Sequence, residues 1–121
     1  MHGALNSDVL AADWMDWRWS PWEPWTDSSV AAPLGLYRLR VKGASVPLIY
    51  IGEGRISSRI RAHLTKARID DHRQAPYFSQ TLEVSWVEVK GPTVHRREHE
   101  NDLIASHVLT AGQPPAAQFL G

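Results

Sequence analysis

Residues 35–52 have the sequence GLYRLRVKGASVPLIYIG, in which apolar and polar positions alternate on both sides of a short polar segment. The segment Lys42-Gly43-Ala44-Ser45 is typical of a turn between two strands. A register that pairs Val41 with Val46 also pairs Leu39 with Leu48 and Tyr37 with Tyr50. Because side chains alternate between the two faces of a strand, all six then lie on one face. The stretch therefore predicts an antiparallel hairpin with two facing tyrosines.

Three further elements come after the hairpin. Ile56, Ile60, Leu64 and Ala67 recur at helical spacing and predict a helix over about 56–69. Residues 74–81 are predicted to be a loop, and Leu82 to Val89 a third strand. A second helix is predicted from about His95 to Thr110, with Leu103, Ile104 and Val108 on one face. The order β-β-α-β-α predicts an α+β fold, in which helices flank a small three-stranded antiparallel sheet.

Residues 1–34 differ from the rest of the chain and are expected to be an N-terminal extension packed on a domain formed by residues 35–121. A short helix that begins at Asn6 or Ser7 would align Leu10, Trp14 and Trp17. The segment 19–25 then contains two prolines, which disfavour helix and favour polyproline II, so that Trp19, Trp22 and Trp25 would share one face. We interpret this segment as a hydrophobic strap. The alternatives are a stacking platform for bases and a ligand for an aromatic groove of a partner.

Composition limits the protein further. A chain of 121 residues and 13.6 kDa is sufficient for one domain. No apolar run approaches the roughly 18 residues of a membrane-spanning helix, and the acidic, proline-broken first 30 residues are unlike a signal peptide. We therefore expect a cytoplasmic protein without a membrane partner. Because the chain has no cysteine, any metal must bind to histidine or oxygen.

The net charge of zero hides an asymmetry. Residues 1–34 carry five acids and one base, whereas the remaining 87 residues carry 12 bases and 8 acids. Six of these bases lie between Arg55 and Arg73, opposed only by Asp70 and Asp71. This distribution is typical of a phosphate-binding surface, although solvated helix faces carry similar clusters.

Three patterns on the helices bear chemistry. Arg59 and His63 are four residues apart and therefore share a helix face, where they would clamp a phosphate and move a proton, or simply be solvated. Glu100 lies on the same helix face as Leu103 and Ile104. A carboxylate buried there would need a paired cation, a proton or a bound metal. The alternative is that Glu100 stays solvated near the start of the helix. His95-Arg96-Arg97-Glu98-His99 matches a zinc-peptidase pattern. That class needs a third ligand, and only 22 residues come after His99.

Taken together, these features resemble the GIY-YIG nucleases. The paired tripeptides are Gly35-Leu36-Tyr37 and Tyr50-Ile51-Gly52, followed by a helix with Arg59 and His63. A glutamate followed by an apolar pair is matched by Glu100 with Leu103 and Ile104, and a final proline and amide by Pro115 and Gln118. The resemblance covers residues 35–118.

The resemblance implies hydrolysis of DNA phosphodiester bonds with Mg²⁺ or Mn²⁺. Glu100 would be the metal ligand, and Tyr37 would be the general base or orient the attacking water, with Tyr50 in the same network. Arg59 would stabilise charge on the phosphate, and His63 would assist proton movement. The residues expected to bind substrate are Gly52, Arg55, Arg61 and Gln118.

Three positions depart from the family pattern. Leu36 replaces isoleucine, Gln118 replaces the asparagine that braces the site, and Glu53 stands where many members have lysine or glutamine. A carboxylate at Glu53 would repel phosphate. These departures and the acidic extension motivate an alternative, in which the chain is a catalytically silent module that binds nucleic acid or protein. Specificity would then come from loops, the extension, a homodimer or a protein partner.

Overall fold

Four antiparallel strands form one sheet in the order β1-β4-β2-β3. The computed structural model describes residues 5–26, 34–43, 46–69 and 73–119. Its strands are β1 (Glu23–Pro24), β2 (Gly35–Val41), β3 (Tyr50–Gly54) and β4 (Leu82–Glu88), and its helices are α1 (Ile56–Ala67), α2 (Ala75–Phe78) and α3 (Thr93–Ala111). The α+β class and the two long helices agree with the expectation from sequence. Within the described residues no helix has the length and apolar character needed to cross a bilayer.

The sheet has four strands where the sequence analysis expected three. The additional strand is β1, which comes from the proline-rich segment and pairs with β4 through Glu23 opposite Val84 and Pro24 opposite Glu83. A strand of two residues at a sheet edge tolerates proline, because an edge position does not need every amide hydrogen for the ladder. The predicted loop over 74–81 likewise contains the short helix α2.

The hairpin of β2 and β3 is paired two residues away from the expected register. Tyr37 lies opposite Gly52, and Leu39 lies opposite Tyr50. Because the shift is an even number of residues, Tyr37 and Tyr50 still share a face. Residues 46–49 lie outside the ladder that β3 forms. Pro47 has no amide hydrogen to give to it, and Leu48 packs on the opposite face from Leu39.

Each face of the sheet is covered by a separate hydrophobic cluster. The α1 face combines strand, α1 and α2 side chains, and its buried members include Tyr37, Leu39, Val84, Ile56, Ile60 and Phe78. The α3 face combines the sheet with α3 and the N-terminal segment, and its buried members include Leu36, Ile51, Leu103, Val9, Trp14 and Trp19. The sheet is therefore the middle of three layers, and β2 contributes alternate residues to both clusters.

The N-terminal segment packs on the sheet, as the strap interpretation expected, but with a different local structure. In place of the predicted helix there is a single 3-10 turn, Trp14–Asp16. The side chains of Asn6 and Asp8 accept hydrogen bonds from backbone amides two residues ahead, a local pairing that competes with helix formation. The three tryptophans do not share a face, because Trp19 is buried on the α3 face and Trp25 on the α1 face. The boundary at residue 34 stays a prediction.

Arg38 ties this segment to β2. Its side chain is only 1% exposed, and its guanidinium lies 4.5 Å from the ring centre of Trp19 and 4.6 Å from that of Trp22. One terminal nitrogen donates a hydrogen bond to the carbonyl oxygen of Val9 at 2.7 Å. Burial, with a smaller contribution from Arg40, lowers the pKa of Arg38 to about 9. The tryptophan faces and the carbonyl replace the water that this cation loses.

The outer edge of β3 is covered by the residues after α3. The amides of Ala116 and Ala117 donate to the carbonyl oxygens of Leu48 and Ile49 at 2.8 and 2.9 Å. The Gln118 side chain continues this pairing, because its amide oxygen accepts from the Ile51 amide and its amide nitrogen donates to the Ile51 carbonyl, both at 2.8 Å. Gln118 thus braces β3.

Trp19→Ala is expected to lower the free energy of unfolding by about 3–5 kcal/mol, which is typical of removing a buried tryptophan. Trp19 is 5% exposed, stacks on Trp14 with ring centres 5.6 Å apart and contacts Arg38. Urea denaturation measures the loss, with the partly exposed Trp17 as the matched control through Trp17→Ala. Equal and small losses in both variants would contradict the packing and favour the stacking platform.

Candidate active site

Five predicted site residues from four elements come together at one end of the sheet. Tyr37 lies on β2, Tyr50 on β3, Arg59 and His63 on α1, and Glu100 on α3. The rings of Tyr37 and Tyr50 are stacked 6.2 Å apart, and both hydroxyl groups interact with Arg59 and with the charge of Glu100. Residues from the hairpin, from α1 and from α3 therefore meet at a single site.

Gly52 makes room for Tyr37. A Cβ atom on Gly52 would lie 2.2 Å from the hydroxyl oxygen and ring carbon Cζ of Tyr37, because the two residues are directly opposite in the ladder. Any side chain at this position would displace the tyrosine ring. Gly52 permits the close approach of Tyr37, and its predicted contact with substrate stays a prediction.

His63 is the hydrogen-bond partner of Tyr37. Its Nε2 atom lies 2.8 Å from the tyrosine hydroxyl oxygen, and its ring stacks on Phe78 at 4.5 Å and meets Tyr50 edge-on at 4.7 Å. Burial, aided by the charges of Lys66 and Arg59, lowers the pKa of His63 to about 3. The imidazole is therefore neutral at physiological pH.

Tyr37 is held by two hydrogen-bond partners. Arg59 can only donate to the Tyr37 oxygen, and the hydrogen bond between the Tyr37 hydroxyl and His63 Nε2 runs in the direction set by the His63 tautomer. The Nδ1 atom of His63 is buried without a hydrogen-bond partner among the described residues. The pair thus fixes the position of the Tyr37 hydroxyl.

The two tyrosines differ in access. Tyr37 is 0% exposed, whereas Tyr50 is partly exposed and lines the cleft beside the site. Burial raises the pKa of both phenols, most of all that of Tyr37, while the charge of Arg59 opposes the rise. The expectation that Tyr37 is the general base or orients the attacking water stays a prediction; its side chain is buried, whereas Tyr50 lines the cleft.

The cleft has a volume of about 370 Å³ and is mainly polar. Its lining residues come from β3, α1 and the first turns of α3, and they are Tyr50, Glu53, Gly54, Arg59, Thr93, Arg96, Arg97 and Glu100. Glu100 is partly buried and forms no ion pair with any residue that the structure describes. Burial and the charge of Glu53 raise the pKa of its carboxyl group, and Arg59 and Arg97 oppose the rise.

The donor set at Glu100 fits a hard divalent cation. In the part of the chain that the structure describes, no three His, Asp or Glu side chains converge, and the other carboxylate of the cleft, Glu53, is paired with arginines, which leaves Glu100 as the carboxylate that would bind a cation. Mg²⁺ is commonly bound through one or two carboxylates, with water and substrate phosphate completing the octahedron. An oxygen donor on the wall of an open polar cleft leaves space for these other ligands.

Sequence reasoning missed the cluster around Glu53. Both carboxylate oxygens of Glu53 are paired, one with Arg96 at 3.1 Å and the other with Arg97 at 3.8 Å. Arg96 is buried, and it also donates to the Thr93 hydroxyl and the Gly91 carbonyl. The expected repulsion between Glu53 and phosphate is thus offset. The available signal was the pair Arg96-Arg97, one helical turn before Glu100.

The other predicted positions lie elsewhere. Arg55, directly before α1, and Arg61, on α1, are exposed, and Arg61 lines a separate hollow beside Leu64 and Arg68. Gln118 contacts the backbone of β3 and is not among the cleft residues. In the zinc-type pattern His95 is exposed, and the ring of His99 packs edge-on against Trp17 with centres 4.9 Å apart.

Glu100 lies on the inward face of α3, as expected, but that face is composed differently. Arg96, Leu103 and His107 are buried, whereas Val108 is 40% exposed. The Nε2 atom of His107 accepts a hydrogen bond from the Leu48 amide at 2.9 Å. This histidine links α3 to Leu48, two residues before β3 begins.

Comparison with protein-family models, curated proteins and solved structures finds no match to this chain. The resemblance to the GIY-YIG nucleases therefore stays a hypothesis. The chemistry of the site has to be inferred from the geometry of the cleft.

Gly52→Ala is expected to destabilise the fold by about 1–3 kcal/mol, because the added methyl group overlaps the Tyr37 ring. Thermal or urea unfolding measures the loss. The double variant Gly52→Ala with Tyr37→Leu should lose less stability than the sum of the two single variants, since the smaller side chain relieves the overlap. Strict additivity would contradict the close approach.

The neutral His63 makes stability depend on pH. An unfolded histidine has a pKa near about 6.5, whereas burial lowers that of His63 to about 3. As pH falls from about 6.5 towards 3, the unfolded chain binds the proton first, so this contribution to stability is present above 6.5 and is progressively lost below it.

Wild type is therefore expected to lose about 2 kcal/mol more stability than His63→Gln between pH 7 and pH 4.5. Glutamine retains an acceptor for Tyr37 and does not titrate. Urea denaturation at the two pH values gives the comparison. Parallel losses in the two proteins would show that His63 is not held neutral.

Proposed function

We propose that this chain is a divalent-metal-dependent endonuclease of the GIY-YIG type, which hydrolyses phosphodiester bonds in DNA. One observation carries the proposal: Tyr37, Tyr50, Arg59, His63 and Glu100, far apart in sequence, meet beside one polar cleft. Arg59 and Glu100 are charged and therefore do not contribute to a hydrophobic core at this point. Phosphodiester hydrolysis needs a cation beside the phosphate, a metal ligand and a proton acceptor.

Each cleft residue has a role in this proposal. The Arg59 guanidinium donates to phosphoryl oxygens and stabilises the charge that develops on them. Tyr50, which lines the cleft, orients the attacking water through its hydroxyl group, and the charge of Arg59 favours loss of the proton from this phenol. Glu100 would hold the cation, and the chemistry that Mg²⁺ would supply there is polarisation of the phosphate and a lower pKa for water.

Tyr37 and His63 are buried beneath the residues that line the cleft. Their hydrogen bond fixes the imidazole, and the imidazole ring meets Tyr50 edge-on. This contact restrains the orientation of Tyr50. Tyr37 also positions Arg59, because the guanidinium forms hydrogen bonds with the hydroxyl groups of both Tyr37 and Tyr50. We therefore assign positioning roles to Tyr37 and His63 and direct contact with substrate to Tyr50 and Arg59.

Charge favours an anionic polymer as substrate. Arg55, Arg61 and Arg68 are exposed on α1 or at its ends, and α1 is the helix that carries Arg59. Cations on a helix that also lines the cleft add to the positive potential that attracts nucleic acid. This arrangement supports DNA over a small phosphate ester.

The second candidate is a module that binds nucleic acid without cleaving it. The observation in its favour is the complete burial of Tyr37, which removes one of the two tyrosine hydroxyls from water. Under this hypothesis the cleft still holds phosphate, and Glu100 has no catalytic effect.

Cleavage of supercoiled plasmid and single-stranded oligonucleotides, with Mg²⁺, Mn²⁺ or EDTA, distinguishes the two. Glu100→Gln should lower the cleavage rate by about a hundredfold or more, as expected for loss of a central electrostatic group, while DNA binding persists. Glu98→Gln, at an exposed position on the same helix, is the matched control. Metal-independent binding without cleavage in wild type would favour the binding module.

A further inference from the structure

The cleft contains more positive charge than its carboxylates neutralise. Three guanidinium groups, from Arg59, Arg96 and Arg97, line it together with two carboxylates, from Glu53 and Glu100. Arg96 is committed to the fold, because it is 5% exposed and is bonded to Glu53, Thr93 and the Gly91 carbonyl. The charge available to a ligand therefore comes from Arg59 and Arg97.

Arg97 is accessible and only lightly held. Its side chain is 72% exposed, and its single ion pair with a described residue is the 3.8 Å contact between its Nε atom and Oε1 of Glu53. A guanidinium has five N–H donors arranged as a planar fork. The terminal nitrogens of Arg97 thus remain suited to a ligand with two acceptor oxygens, such as a phosphate.

Glu53 is a rigid anchor for this arginine. Its side chain is 13% exposed, and its second oxygen is fixed by the buried Arg96 at 3.1 Å. Because α3 carries Arg97 one turn before Glu100, this weak tether biases the guanidinium toward the residue assigned to the metal. A long arginine side chain on an exposed helix surface would otherwise sample many rotamers.

We propose that Arg97 is a second phosphate-binding arginine of the cleft, positioned by Glu53, and that it contacts the nucleic-acid backbone together with Arg59. The inference rests on the proposed function and adds a substrate contact from α3 to the one from α1. Glu53 acts as a positioning residue. Its carboxylate does not face the substrate as an unpaired charge, since both oxygens are paired.

Binding of a fluorescein-labelled oligonucleotide in EDTA tests the contact without requiring catalysis. Arg97→Ala should weaken binding by about tenfold, as for loss of a charged hydrogen bond, and should reduce the slope of log affinity against log salt by about 1. Arg18→Ala removes the same charge from an exposed position in the N-terminal segment and is the matched control. Arg97→Lys should retain the salt slope and recover only part of the affinity.

Glu53→Gln tests the tether by the sign of its effect. If Glu53 acts only as a negative charge near phosphate, its removal strengthens binding. If it positions Arg97, its removal weakens binding in wild type and has no further effect in the Arg97→Ala background. Thermal melting identifies any variant that fails to fold. In that case, the salt slope of Arg97→Lys decides whether Arg97 contacts phosphate.

The outcomes separate the two hypotheses. Wild type that cleaves DNA, with Arg97→Ala equal to Arg18→Ala in affinity and salt slope, overturns the role of Arg97 and leaves the nuclease proposal in place. A wild type that neither binds nor cleaves DNA overturns both. Loss of affinity and slope in Arg97→Ala alone supports the second arginine, whether or not wild type cleaves.

Discussion

The approach of the Tyr37 ring to Gly52 is the constraint on which the candidate site depends. It requires the strand pair to meet in one register, with a residue that lacks a side chain opposite the tyrosine. This packing points the Tyr37 hydroxyl at His63, and the bond at 2.8 Å fixes the rotation of α1. Arg59, one turn earlier on that helix, is then directed to the cleft beside Tyr50. A steric condition between two strands thus decides where a cation lies.

Buried charge is managed in two ways on the α3 face of the sheet. Beside the N-terminal segment, Arg38 is surrounded by tryptophan rings and a backbone carbonyl, with no carboxylate paired to it in the described residues. At the cleft, Glu53 is paired with Arg96 and Arg97. The first arrangement fastens the N-terminal segment to the central strand, and the second leaves a carboxylate, Glu100, and two accessible guanidiniums in one place. Both arrangements satisfy charges that would be costly if they were isolated.

Much of the architecture could be predicted because it depends on local periodicity. The positions of α1, α3 and β4 are indicated by apolar spacing, and the shared face of Tyr37 and Tyr50 survives a register shift of two because strand periodicity is two. The register itself could not be predicted, since it depends on Gly52 accepting the Tyr37 ring across the ladder. The strand at Glu23 and Pro24 was missed because proline argues against strand except at an edge, and edges are decided by tertiary packing. For the same reason, local periodicity does not predict that Glu53 pairs with two arginines 43 and 44 positions away, although the adjacent Arg96 and Arg97 indicate a concentration of positive charge near Glu100.

The tail after α3 has a consequence for how copies of this protein could associate. Exposed strand edges are templates for joining sheets from different molecules, and β3 would be one such edge. Here the amides of Ala116 and Ala117 bond to Leu48 and Ile49 just before β3, and the Gln118 side chain occupies both backbone groups of Ile51 within it. The opposite edge, β1, is two residues long and contains proline. Both described edges are thus shortened or partly covered, which disfavours self-association by a continuous intermolecular sheet and favours contact between copies through helices or loops.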